Sequence, residues 1–224
     1  MDKSYFDREI RQLNIDFLND EYKKFTPIIT NDFIIDKDRF SNFWNEIKKY
    51  KLNCRKDNSL NKLELYNLNE FTNIIKKIFL STYASHIYKV LTKNFKKNIR
   101  VEELCYLAND LVLGLTPSKN EMVYENNLYL KDKEGIEKEQ GILLSSILSL
   151  KQEGTHLCKS MLLPSSLALQ KFHELEENKK VFLNGASIEC LDDYNLVTLD
   201  NPNYLNAEDN RTLLSLEAAI DLAI

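Results

Sequence analysis

Up to about residue 178 the apolar residues recur at three- and four-residue steps; beyond it they fall into short runs separated by turn-forming residues. This change of period constrains the fold most, because a stripe laid out for a helix cannot put its apolar side chains on one face of a strand. The clearest stripe is Ile136, Gln140, Leu143, Ile147 and Leu150, in a helix expected from about Lys133 to Glu153. Such a stripe packs against another helix. Gly141 inside it costs about 1 kcal/mol relative to alanine, and close approach of a neighbouring backbone is one reason to tolerate it. Gly154 reads as the terminator and Thr155 as the cap of the next helix, which stops before Pro164.

The same grammar predicts three other helices. Phe71, Ile74, Ile75, Ile78 and Phe79 share one face of a helix, with Asn67 and Glu70 in the spacing of a capping start. A second runs from Val101 to Leu113, closed by Gly114 and Pro117, with Thr116 placed to cap the next helix. A third covers Ser165 to about Glu177. After residue 178, Val181-Phe182-Leu183 closes in an Asn184-Gly185 turn. The runs Ala186 to Leu191 and Leu196 to Asp200 flank four polar turn-formers, Asp192-Asp193-Tyr194-Asn195, which is the pattern of a β-hairpin. A last helix comes after it, capped by Asn206 or Asp209, with Leu213, Leu216, Ala219 and Ile220 expected on its buried side. The fold class is therefore mainly α: a helical domain over residues 1–179, then a hairpin and one helix over 180–224. That second piece is too small to bury a core of its own, so it is expected to pack on the helices or to be the start of an incomplete domain.

Composition narrows the function classes. With 43% hydrophobic and 29% charged residues the 224-residue chain is that of a globular protein, and a net charge of −4 gives no footprint for nucleic acid. Lysine runs such as Lys48-Lys49-Tyr50-Lys51 are balanced by nearby acids and read as solvated helix faces. No stretch has the roughly 20 apolar residues of a membrane span, and Met1 to Tyr5 opens no signal peptide. Cys54, Cys105, Cys158 and Cys190 form no Cys-x-x-Cys pair, which favours buried free thiols in a reducing cytoplasm over a disulfide scaffold or zinc site. His156 and Cys158 lack the partners a metal site needs, and His173 to Glu177 lacks the second histidine of a zinc-protease helix. Ser165 and Ser166 lie outside any Gly-x-Ser-x-Gly and read as helix-capping residues.

Several segments, in order, resemble one family. Leu113-Gly114-Leu115-Thr116-Pro117, Lys133-Glu134-Gly135, Gln140-Gly141-Ile142 and Met161-Leu162-Leu163-Pro164 are similar to the helical amino-terminal region of dihydroxyphenylacetyl-CoA dioxygenases. Leu205-Asn206-Ala207-Glu208-Asp209 and Glu217 to Ala223 resemble the start of the crotonase-type (enoyl-CoA hydratase/isomerase-like) domain of those enzymes. The resemblance spans roughly residues 101–224 and leaves the first hundred unmatched. It implies an acyl-CoA thioester as substrate, here an aryl-acetyl-CoA, with two backbone amides stabilising the enolate formed on loss of the α-proton. It implies that no metal or flavin takes part and that molecular oxygen reacts with the carbanion directly. Glu208 is the position it assigns to contact with the aryl hydroxyls, whereas Asn206 shapes the loop. The oxyanion-hole segments of the family lie downstream of the first crotonase helix, so the resemblance implies a truncated domain, a chain without turnover alone, and no catalytic residue within it. It implies a homo-oligomer for a full-length version.

Two other readings stand beside this one. An enoyl-CoA hydratase or isomerase relative would carry the same appended helices, although an acid at 208 suits a hydroxylated ring better than an alkyl chain. A non-catalytic split subunit or remnant would dock onto a second polypeptide through the apolar stripe of the last helix.

Overall fold

The computed structural model describes residues 26–57, 59–202, 206 and 210–224. The chain divides into two compact units, the described residues up to Ser160 and the stretch Met161–Ile224.

In the first unit the helices are α1 (Phe33–Lys56), α2 (Lys62–Leu91), α3 (Val101–Leu111), α4 (Lys119–Asn126), α5 (Glu137–Leu148) and α6 (Lys151–Met161), with one 3-10 turn at Leu130–Asp132. Helix α2 begins before Asn67: Asn61 accepts from the Leu63 and Glu64 amides, and the Glu64 carboxylate accepts from the Asn61 amide at 2.8 Å. Two capping pairs compete in this stretch; the upstream one wins because it extends the helix by two turns, and Asn67 is buried inside it. The aromatic residues form the core. The Phe40 and Phe79 rings lie 4.9 Å apart and Trp44 meets Phe79 edge-on at 5.6 Å, with Leu143 and Ile147 of α5 fully buried in the same cluster. Helix α5 packs along α2, as its stripe predicts.

The expected long helix from Lys133 to Glu153 is broken. Lys133 to Ile136 are a loop with Gly135 at φ +71°, and α5 gives way to α6 at Ser149–Leu150. Neither glycine has the role expected of it. Gly141 has nothing within 4 Å of where a Cβ would sit, so no backbone approaches it. Gly154 ends no helix: it lies inside α6, where a Cβ would fall 2.8 Å from the Leu148 carbonyl oxygen. Thr155 is mid-helix, its hydroxyl donating to the Lys151 carbonyl at 2.6 Å.

In the second unit α7 (Ser166–Asn178) precedes strands β1 (Lys180–Leu183), β2 (Ala186–Cys190) and β3 (Asn195–Leu199), and α8 (Asn210–Ala223) follows. The strands form an antiparallel meander in the order β1-β2-β3, so the apolar run at Val181 is a third strand added to the hairpin. Val181 pairs with Ile188 and Ile188 with Val197, which puts all three on the face covered by the helices. Helix α7 packs on β1, and α8 on β2, β3 and α7. Patterning put the change of domain near residue 180; α7 nevertheless shares a unit with the sheet, because Leu175 joins Val181, Ala186, Ile188 and Ala219 in one cluster.

Of the four residues expected on the buried face of α8, Ala219 is buried and Leu216 half-buried, but Leu213 and Ile220 are not. Thr212, Ser215, Ala218 and Ala219 are buried, whereas Leu213 and Ile220 are each 46% exposed. Small residues are required there: Gly185, at φ +108°, leaves only 2.8 Å between the place of a Cβ and the Thr212 Cγ2 atom. The Ser215 hydroxyl then donates to the Asn184 carbonyl at 2.9 Å and fixes the turn beneath the helix.

Candidate functional site

The helical unit forms a cleft of about 620 Å3, open on one side and lined by α1, α2, Asn109 of α3, the segment from Leu113 to Ser118, α4, the loop before α5 and the first turn of α5. Two of the sequence motifs build it. In the Leu113 to Pro117 segment, Gly114 turns at φ +82°, its amide donates to the Asn109 side chain at 3.0 Å, and a Cβ there would come within 3.2 Å of Trp44 Cβ. Thr116 is buried, its hydroxyl donating to the Cys105 carbonyl at 2.7 Å, so it does not cap α4. Ser118 does that in a capping box with Glu121. In the Lys133 to Gly135 segment, the Glu134 and Gly135 amides donate to the buried Glu125 carboxylate at 2.6 and 2.7 Å. A buried carboxylate thus holds the loop that closes the cavity.

Three ion pairs line this cavity and each joins different segments. Lys76 on α2 meets Glu139 on α5 at 2.5 Å with its side chain 3% exposed, and lies 5.6 Å from the Trp44 ring centroid. Lys51 on α1 meets Glu134 at 3.7 Å, both 17% exposed, and Lys48 on α1 meets Glu121 on α4 in a more exposed pair. By exposure the pairs run from the floor to the mouth. Burial depresses the Lys76 ammonium below its ordinary pKa, while the Glu139 carboxylate opposes that shift. Burial would raise the Glu121 carboxyl, but hydrogen bonds from Lys48 and Ser118 outweigh it and hold the group below its ordinary value. Apolar surface comes from Trp44, Leu52, Leu113, Pro117 and Ile136. The arrangement can receive a small molecule with one apolar side and charged or hydrogen-bonding groups on the other.

The lysine run that reads as a solvated face is therefore divided. Lys49 pairs with Glu46 in solvent at 2.7 Å, whereas Lys48 and Lys51 face the cavity. Helical phase separates them, but their glutamate partners lie dozens of residues away, so no local signal links them.

The other candidates are accounted for by local structure. His156 is half-buried: its Nε2–H donates to the Phe95 carbonyl at 3.1 Å, which leaves Nδ1 to accept from the Tyr88 hydroxyl at 2.8 Å. Cys158 is exposed, Cys54 and Cys105 are buried, and Cys190 is half-buried. His173 is exposed beside Glu176. Ser165 caps α7, accepting from the Ala168 amide, while its own amide donates to the Asp221 carboxylate at 2.7 Å. Among the described residues no group of three or more His, Cys, Asp or Glu side chains could hold a metal ion, and no helix is long and apolar enough to cross a membrane.

At the second motif, the buried Asn201 donates its amide to Asn206 Oδ1 at 2.7 Å, and the Asn206 amide donates to the Asn201 carbonyl at 2.9 Å. Asn206, at φ +57°, is thereby tied to Asn201 through both hydrogen bonds. Glu208 lies outside the described residues.

No known protein-family profile matches the chain. It is similar to a (3,5-dihydroxyphenyl)acetyl-CoA 1,2-dioxygenase of Amycolatopsis orientalis, with 36% identity over 146 residues that make up 65% of this chain and 34% of that protein. The chain thus spans about a third of the length of the curated relative it matches.

Proposed function

We propose that this chain is part of a dioxygenase acting on an aryl-acetyl-CoA thioester, with molecular oxygen as co-substrate. The similarity to the Amycolatopsis dioxygenase is the observation that carries this reading. The Leu113 to Pro117 and Lys133 to Gly135 motifs support it, since each is packed by specific contacts rather than left as plain helix surface.

In this reading residues 180–224 open a crotonase-type domain and Glu208 accepts hydrogen bonds from the hydroxyls of the aryl ring. The thioester carbonyl is held by backbone N–H groups from further polypeptide, so that the negative charge left by removal of the α-proton rests on the carbonyl oxygen. The electron-rich carbon then attacks oxygen without help from a metal or flavin. Leu213, Leu214 and Ile220 on the outer side of α8, each more than two-fifths exposed, suit burial by that polypeptide or by another subunit.

The test measures oxygen uptake with (3,5-dihydroxyphenyl)acetyl-CoA. The 224-residue chain alone is expected to consume none. Combined with a polypeptide carrying the part of the Amycolatopsis enzyme that this chain does not match, it restores uptake, and Glu208→Gln lowers kcat/KM at least tenfold. A combination that stays silent while the intact Amycolatopsis enzyme turns over refutes the reading.

A further inference from the structure

We propose that the open edge of strand β3 pairs with β3 of a second copy of this chain, antiparallel about a two-fold axis at Val197, joining two three-stranded sheets into one continuous sheet. The inference concerns the second unit alone and does not rest on the dioxygenase reading.

The phase of the hydrogen bonds defines the edge. In an antiparallel sheet the N–H and C=O of one residue point to one side and those of the next residue to the other. The Cys190 amide donates to the Lys179 carbonyl at 2.7 Å, so Cys190, Ile188 and Ala186 of β2 serve β1. The Leu191 amide donates to the Tyr194 carbonyl and the Asp200 amide to the Gly185 carbonyl, each at 2.9 Å, so in β3 it is Leu196 and Thr198 that serve β2. Asn195, Val197 and Leu199 therefore direct their amides and carbonyls away from the sheet, and among the described residues no hydrogen bond takes them up. The open stretch ends at Asn201, whose amide and carbonyl are both bonded to Asn206. Exposed edges are ordinarily guarded by charge or proline. The β1 edge has Lys180, whereas Asn195-Leu196-Val197-Thr198-Leu199 carries neither.

This edge is complementary to itself. With Val197 opposite the second copy's Val197, Asn195 meets Leu199 and Leu199 meets Asn195, so every open amide and carbonyl finds a partner. Sliding the strands by two residues one way sets Asp192 against Asp200; the other way it sets Asn195 against Asn201, whose backbone is already bonded. In the symmetric register Asp200 comes opposite Tyr194 and Asp193 opposite Asn201, so no two acids face each other. The helix layer fits the same axis, because opposing Val197 residues turn both helix-covered faces to the same side. On α8 the Asp221 carboxylate accepts from the Ser165 amide at the start of α7, which marks the flank facing α7 and β1. At about 100° per residue, Leu213, Leu216 and Ile220 lie on the other flank, above the free edge of β3. With strands about 4.8 Å apart, a helix seated above β2 and β3 comes to lie about 10 Å from its two-fold mate, which is helix-packing distance. The stripe that the unit's own sheet leaves uncovered is then buried against its counterpart, which adds apolar burial to the edge hydrogen bonds.

Sedimentation equilibrium of the full chain measures the association, and a dimer that dissociates on dilution is expected. In the dimer the Asn195, Val197 and Leu199 amides should gain protection from hydrogen exchange, while the Phe182 amide on the β1 edge does not. Leu196 and Thr198 are exposed on the outer face of the sheet and oppose each other across the axis. The double variant Leu196→Lys with Thr198→Lys therefore sets like charges together and should raise the dissociation constant at least tenfold, as should Leu196→Glu with Thr198→Glu. Phe182→Lys, on the β1 strand, should leave it unchanged. Mixed in equal amounts, the basic and acidic double variants should form a heterodimer, which variants that had failed to fold would not do. Far-ultraviolet circular dichroism checks each variant's fold. A chain that stays monomeric up to millimolar concentration overturns the proposal. So does a dimer that both double variants leave intact, or one whose formation leaves the three amides unprotected.

Discussion

Two glycines on consecutive helices should respond to alanine in opposite directions. In a helix interior glycine to alanine gains about 1 kcal/mol, because the glycine backbone has more freedom to lose on folding. Gly141 is exposed in α5 with nothing within 4 Å of the place a methyl group would take, so Gly141→Ala should realise most of that gain. Gly154 is buried in α6, where a Cβ would lie 2.8 Å from the Leu148 carbonyl oxygen and 3.1 Å from its Cα. Both atoms are backbone, so no rotamer change relieves the contact, and the turn between α5 and α6 must open by roughly 0.5 Å to reach ordinary separation. Overpacking of this kind costs about 1–3 kcal/mol, which cancels the propensity gain and leaves Gly154→Ala less stable by about 1 kcal/mol. The two variants should therefore differ by about 2 kcal/mol. Urea unfolding followed by Trp44 fluorescence measures this within the right unit, since both glycines and the single tryptophan belong to it. Thermal midpoints should move apart as well, by about 2–4 °C per kcal/mol for a chain of this size. If Gly154→Ala stabilised the protein as much as Gly141→Ala, the tight α5–α6 turn would not be the reason for the glycine.

Asp36 is fully buried and accepts from the Thr30 amide and hydroxyl, the Asn31 amide and the Tyr83 hydroxyl, the last at 2.6 Å. Burial raises its pKa, but these hydrogen bonds outweigh it and hold the carboxyl below its ordinary 3.8. A depressed folded-state value means that the unfolded chain takes up the proton first as pH falls. The stabilisation is therefore complete above about pH 4–5 and is lost as pH drops through the folded pKa. Asp36→Asn should cost about 2 kcal/mol at neutral pH and flatten the acid limb of a stability-against-pH curve; an unchanged acid limb would count against the carboxylate as its source. Gly185→Ala combines a forbidden φ of +108° with a 2.8 Å contact to Thr212, so it should destabilise the second unit by about 2 kcal/mol or more, read by hydrogen exchange at the β1–β2 amides. Gly185→Ala with Thr212→Ser, which removes the struck methyl, should recover only the contact part and leave the backbone strain.

How much of the fold is legible in the sequence depends on the range of the forces involved. The stripe Leu143–Ile147 and the turn at Asp192 to Asn195 are set by neighbours within a few residues, and they appear where the pattern places them. The Gly114 turn is local too, with its positive φ next to Pro117. Capping is legible as a chemistry but not as a position, because Asn61/Glu64 and Asn67/Glu70 have the same spacing and only the packing of a 30-residue helix separates them. Helix α8 misleads for a related reason: its leucines have helical period, but close approach to Gly185 admits only Thr212, Ser215 and the alanines.

By itself, then, the sequence determined the helix-to-strand switch, the meander's turns and the motifs that resemble an aryl-acetyl-CoA dioxygenase, since each is written in adjacent residues. Only the tertiary structure decided that Lys48, Lys51 and Lys76 each meet a glutamate from a distant segment around one cavity. Coulomb energy depends on distance in space, and that distance exists only once α1, α2, α4 and α5 have packed.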